Sequence, residues 1–75
     1  MKNDDKLQLI VQSIRDKREQ LGYSQEYMAY KMNVSQNCYS KIELGQNKLT
    51  VDRLLLICAL LDLDKQTILD PDVLF

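Results

Sequence analysis

The sequence predicts a small all-α domain, a compact five-helix bundle, and three observations predict it. An apolar residue, a capping residue and a second apolar residue four positions after the cap recur four times: Tyr23-Ser24…Met28, Val34-Ser35…Tyr39, Leu49-Thr50…Leu54 and Leu63-Asp64…Ile68. Ser, Thr and Asp oxygens accept bonds from the orphan N–H groups at a helix start, and the flanking apolar pair staples the incoming chain to the first turns. Both glycines and the single proline, Gly22, Gly45 and Pro71, fall between periodic segments, where breakers belong. No stretch shows the alternation of a half-buried strand.

Taken in order, the chain opens with a flexible start over residues 1–5. A first helix is expected over about 6–21, with Leu7, Ile10, Ile14 and Leu21 on or near one face. Gly22 suits the left-handed position just past its end. The second helix is expected over 25–32 and the third over 36–44, followed by Gly45 and a short polar loop to Leu49. The fourth, over 51–62, contains the run 54–61, which is apolar on every side. Leu54, Ile57, Cys58 and Leu61 suit the job of covering helices one and three, which leaves over Leu55, Leu56 and Leu60. Two readings are open for these three. Either a fifth helix over 65–69 and a tail over 70–75, with Val73, Leu74 and Phe75, covers them, or they form a dimer face, since a helix apolar all round is buried somewhere. The expectation carried forward is a homodimer.

At 75 residues there is room for one domain. A chain of this size buries only about 60% of the surface it exposes unfolded, a poor basis for a deep catalytic cleft. The start, Met1-Lys2-Asn3-Asp4-Asp5-Lys6, is polar and has no signal-peptide apolar region. The longest apolar run is eight residues, far short of the ~20 of a membrane helix, so a cytoplasmic protein without membrane contact is expected. Two cysteines, Cys38 and Cys58, and no histidine cannot close a four-ligand zinc site. Reduced, partly buried thiols are the ordinary reading; a redox sensor or an intermolecular bridge is the alternative. With no histidine, no Gly-rich phosphate loop and no carboxylate pair in an evident cleft, nothing assembles a catalytic constellation. No enzyme activity, metal or cofactor is expected. Net charge is −1, divided as +1 over residues 1–20, +1 over 21–50 and −3 over 51–75. The acid thus gathers at the carboxy end, away from helices two and three.

Helices two and three are joined by Asn33-Val34-Ser35. Two short helices joined by such a turn form the helix-turn-helix unit, whose second helix, in DNA-binding versions, lies in the major groove. The same stretch carries Ser24-Gln25-Glu26, Met28-Ala29, Val34-Ser35 and Tyr39-x-x-Ile42-Glu43-x-Gly45. It resembles the XRE family of DNA-binding domains, the group of phage repressor and Cro proteins, over about residues 10–69. The resemblance implies a lambda-repressor-like fold and a sequence-specific regulator of transcription, acting as a repressor on double-stranded DNA. The departures are Tyr39 for the usual Ile, Met28 for Leu, Leu44 where polar residues are commoner, and Lys17 where many members have Leu. The Tyr39 hydroxyl needs a partner or water if it is buried.

On helix three, Tyr39 and Ile42 are three apart and should face the core. That turns Gln36, Asn37, Ser40 and Lys41 outward, with Ser35 at the cap beside them. Gln and Asn can each bond adenine twice, and Lys can bond guanine or a phosphate. The resemblance implies that Gln36, Asn37 and Lys41 read the bases. It also implies that Gln25 bonds a phosphate or touches the Gln36 side chain, at a helix start whose free N–H groups attract anions. Ser24 caps its helix or contacts phosphate, and Asn47 and Lys48 are further backbone candidates. Such contacts position the protein without reading sequence. An ion pair between Arg18 and Glu43 is implied residue for residue.

A homodimer would set two recognition helices about 34 Å apart on a two-fold symmetric operator. A phage-type repressor, an antitoxin-type autoregulator and a restriction-modification controller are not separated by these residues. The competing reading is a protein–protein interaction module on the same scaffold, with an unidentified protein partner. Mild acidity keeps it open, and salt dependence of binding separates the two.

Overall fold

In the computed structural model, which describes residues 2–63, the chain forms α1 (Lys2–Gln20), α2 (Gln25–Met32), α3 (Gln36–Glu43) and α4 (Val51–Leu61). No strand occurs among the described residues. Among the described residues there are four helices. The expected fifth helix over 65–69 and the tail over 70–75 lie outside the described residues. α1 begins at Lys2, earlier than the expected start at Lys6. No glycine or proline occurs in residues 2–6, so no breaker there stops the helix from starting at Lys2. Among the described residues no helix is long and apolar enough to cross a membrane.

Each short helix is closed at both ends by local chemistry. The Ser24, Ser35 and Thr50 side chains accept from the backbone N–H groups of Tyr27, Cys38 and Arg53. The apolar residues just before these caps, Tyr23, Val34 and Leu49, pack against the core, as does Leu63. Their staple partners Met28, Tyr39 and Leu54 are buried within it. The four carboxyl ends share one device: a residue at positive φ, at Gly22, Asn33, Gly45 and Asp62. Beyond each, the chain turns back to bond the last turn: Tyr23 N–H to Arg18 O, Val34 N–H to Ala29 O, Gln46 N–H to Lys41 O and Leu63 N–H to Cys58 O. This is the 6→1 closure that satisfies carbonyls orphaned at a helix end. Glycine enters that conformation freely, and Asn and Asp are the side chains that tolerate it best.

The core is drawn from all four helices: Ile10, Val11 and Ile14 of α1, Met28, Ala29 and Met32 of α2, Tyr39 and Ile42 of α3, and Leu54, Ile57, Cys58 and Leu61 of α4. The α4 face matches expectation in full. α1 does not, because Val11 is buried and Leu21 is exposed. Leu21 lies in the turn beyond the helix end, where the 3.6-residue period no longer sets its direction. Of the three leucines left over, Leu55 is half-buried, Leu56 is exposed, and Leu60 packs partly onto the core. Neither cysteine is in a disulfide; Cys58 is a core residue and Cys38 is half-buried.

Asn33 stands at φ 58° in the turn between α2 and α3. Asn33→Ala is expected to lower stability by about 1 kcal/mol, and Asn33→Gly to leave it unchanged or raise it slightly. Thermal melts of the three proteins check this, and equal losses for Ala and Gly would remove the conformational argument.

Candidate nucleic-acid interface

α2 and α3 are eight residues each, too short to be stable helices alone, since isolated helices under about 12–15 residues are marginal in water. Their mutual packing and the core beneath decide which side of α3 faces outward. Tyr39 and Ile42 are fully buried, and Gln36, Asn37 and Lys41 on the opposite side are exposed. Ser40 is half-buried. Ser24 and Ser35 are exposed at the amino ends of α2 and α3, and their hydroxyl oxygens accept Tyr27 N–H at 2.9 Å and Cys38 N–H at 3.0 Å. The capping bonds use the oxygens as acceptors and leave each hydroxyl proton available to an outside acceptor such as phosphate.

Behind this face lies a buried polar cluster centred on Glu43. Arg18 Nε donates to Glu43 Oε2 at 2.6 Å and Nη2 donates to Oε1 at 3.2 Å. This is the two-pronged geometry that a guanidinium makes best with a carboxylate. The third guanidinium nitrogen, Nη1, donates to the Tyr23 carbonyl at 2.8 Å. Gln25 Nε2 donates to Glu43 Oε1 at 3.0 Å, and Arg15 Nε stands 3.8 Å from the same oxygen. The end of α1, the start of α2 and the end of α3 thus meet at one carboxylate whose side chain is 0% exposed, and the Arg18 guanidinium ties the turn after α1 to the same point.

The electrostatics follow from this packing. Burial alone would raise the Glu43 carboxyl, but the Arg18 guanidinium, with the Tyr39 hydroxyl and Gln25 amide, outweighs it and holds the group below its ordinary value. The hydrogen bond to Glu43 in turn raises Arg18. The Tyr39 hydroxyl is buried close enough to sense the carboxylate but has no partner at hydrogen-bond geometry among the described residues. Burial first, and the neighbouring Glu43 charge second, hold its proton far above the ordinary tyrosine range.

Gln25 is half-buried, and its amide is turned toward Glu43. This inward bond was not legible in the sequence, nor was the approach of Arg15. The one sequence signal for Arg15 is its place three residues before Arg18, on the same side of α1. In the loop after α3, Lys48 is exposed and Asn47 is half-buried, with Asn47 Nδ2 donating to the Cys38 carbonyl at 3.3 Å and lying 3.7 Å from Cys38 Sγ.

Removing one partner of such a pair leaves a buried charge uncompensated. Glu43→Ala is therefore expected to cost about 3–5 kcal/mol, read as a fall in melting temperature of about 10 °C or more. The pH dependence has a definite sign. Because Glu43 is held below its ordinary value near 4.5, its contribution is complete above that pH and is lost as pH falls through the lower folded-state value. The gap in melting temperature between wild type and Glu43→Gln should be widest near neutrality and narrow below pH ~4. A gap constant from pH ~7 to ~3 would rule out a depressed Glu43.

A family model described as helix-turn-helix matches residues 14–68, well over half of the chain. Comparison with the curated proteins and with the solved structures gives no significant match. The matched region takes in α2, α3 and the whole Glu43 cluster, and within it the structure has a capped α2, a tight turn, and an α3 with one buried and one exposed face. The chain belongs to the XRE family of helix-turn-helix DNA-binding domains.

Proposed function

We propose that this protein is a transcriptional repressor that binds a two-fold symmetric operator as a homodimer. One observation carries the reading: the family's recognition helix presents Gln36, Asn37 and Lys41 to solvent while Tyr39 and Ile42 anchor its other side. In this reading Gln36 and Asn37 bond base edges through their amides, and Lys41 bonds a guanine or a phosphate. Ser24, Ser35, Ser40 and Lys48 serve the backbone, which positions the helix without reading sequence. Gln25 supports the face from behind through Glu43. A regulator of this kind works where the DNA is, in the cytoplasm.

Local charge favours the same surface. Lys31, Lys41 and Lys48 are exposed. Glu43, the carboxylate on the recognition helix, is neutralised by Arg18. A phosphate approaching α3 therefore meets no unpaired carboxylate on that helix, while Glu26 stays exposed in the first turn of α2. Dimerisation rests on α4, where Leu56 is exposed, Leu55 is half-buried, and Leu60 is shared between the core and the surface.

Fluorescence anisotropy against the duplex upstream of the chain's own gene, with a shuffled duplex as control, tests the reading. Binding is expected to favour the upstream duplex and to weaken with salt. Gln36→Ala/Lys41→Ala should lose about tenfold or more on that duplex, since each good base contact carries about 1–3 kcal/mol of discrimination. Equal weak binding to both duplexes would defeat the specific reading. Absence of binding at low salt would favour a protein-interaction module instead. Sedimentation equilibrium checks the dimer: wild type should associate at tens of micromolar, and Leu56→Glu should remain a monomer with an unchanged helical spectrum.

A further inference from the structure

The loop between α3 and α4 is fastened to the recognition helix at two points. Gly45, at φ 74°, turns the chain back so that the N–H groups of Gln46 and Asn47 both reach the Lys41 carbonyl, at 2.9 and 3.3 Å. The Asn47 side chain then spans to Cys38, three residues earlier on the same helix. Both of its contacts, 3.3 Å to the Cys38 carbonyl and 3.7 Å to Cys38 Sγ, use Nδ2. A carbonyl only accepts, so the orientation of the amide is settled by chemistry. With its N–H groups turned inward, Asn47 offers the outside only its oxygen, a pure acceptor, and a phosphodiester is also only an acceptor.

We propose that Asn47 is a positioning residue that locks the loop onto α3 and so fixes Lys48 relative to Gln36, Asn37 and Lys41, rather than meeting a phosphate itself. The proposal rests on the DNA-binding reading above. Lys48 is exposed and is the next residue after the tie, so its ammonium swings from a point that Asn47 anchors. Without the tie the lysine keeps its charge but loses its fixed place over the backbone, and ordering it on binding costs side-chain and loop entropy. A neutral residue therefore controls a charged contact, which is a signature that can be measured.

The test is a double-mutant cycle read by anisotropy over a range of salt, with wild type, Asn47→Ala, Lys48→Ala and the double variant. Asn47→Ser, whose hydroxyl falls short of the Cys38 carbonyl, runs beside them so that the result does not hang on one substitution. Both Asn47 variants should bind about fivefold more weakly at 0.15 M salt, the size of one lost counterion-releasing contact. Their salt slope should fall by about one although no charge has been removed. In the Lys48→Ala background, replacing Asn47 should change affinity by less than about twofold. An equal loss in both backgrounds with an unchanged slope would make Asn47 an independent contact and overturn the proposal. Unchanged affinity and slope in both Asn47 variants would also overturn it. Failure of the DNA-binding reading is distinguishable, because it appears as absent or salt-independent binding by the wild type.

Discussion

The Arg18–Glu43 pair is the constraint on which the remaining geometry depends. One guanidinium reaches the end of α3 through Glu43 and the turn before α2 through the Tyr23 carbonyl. Gln25, the first residue of α2, meets the same carboxylate. The relative placement of the two helix-turn-helix helices and the scaffold helix α1 is thus set by hydrogen bonds with narrow angular tolerance, while apolar packing supplies the bulk of the attraction. A buried pair is a poor source of net stability, because desolvation offsets its attraction. Its value lies in how few arrangements satisfy it, and a satisfied buried network specifies one geometry.

Around that pair the chain is built from helices too short to persist alone. α2 and α3 have eight residues each, so a large share of their backbone groups lie in end turns without intrahelical partners. The serine and threonine caps and the positive-φ closures satisfy part of that demand within a few residues. Helix–turn–helix geometry is the result: little slack in the turns, and exposed faces whose direction is dictated by what is buried. Tyr39 shows how tightly the two levels are joined. It is the staple partner of Val34, a core residue with no exposure, and a neighbour of the Glu43 carboxylate.

The candidate DNA face carries no such network of its own. Gln36, Asn37 and Lys41 are exposed on one side of a helix whose other side is packed. Charge is arranged accordingly. The carboxylate on α3 is cancelled internally, and the loop that carries Lys48 is tied back to the helix by neutral groups.

Much of this was legible in the sequence, because the signals were local. Caps at Ser24, Ser35 and Thr50 and the core face of α4 follow from residue type and spacing, and so does the outward turn of Gln36, Asn37 and Lys41. Gly22 and Gly45 announced their turns, but Asn33 and Asp62 did not, since a side chain that tolerates positive φ also suits many other positions. Val11 was missed for a related reason: one apolar residue beside a stripe is buried or exposed according to which neighbour packs there. Tertiary structure alone decided that Gln25 turns inward to Glu43 and that Asn47 spends its N–H groups on Cys38. An amide at a helix start or in a loop has several partners within reach, and distance in space, not position in the chain, selects among them. Residue type and spacing alone determined α2, α3 and α4 and their serine and threonine caps, and carried the family resemblance, because hydrophobic period and capping act over a few residues. The fold decided which polar groups are committed inside and which stay at the surface, because only packing brings residues distant in the chain within bonding reach.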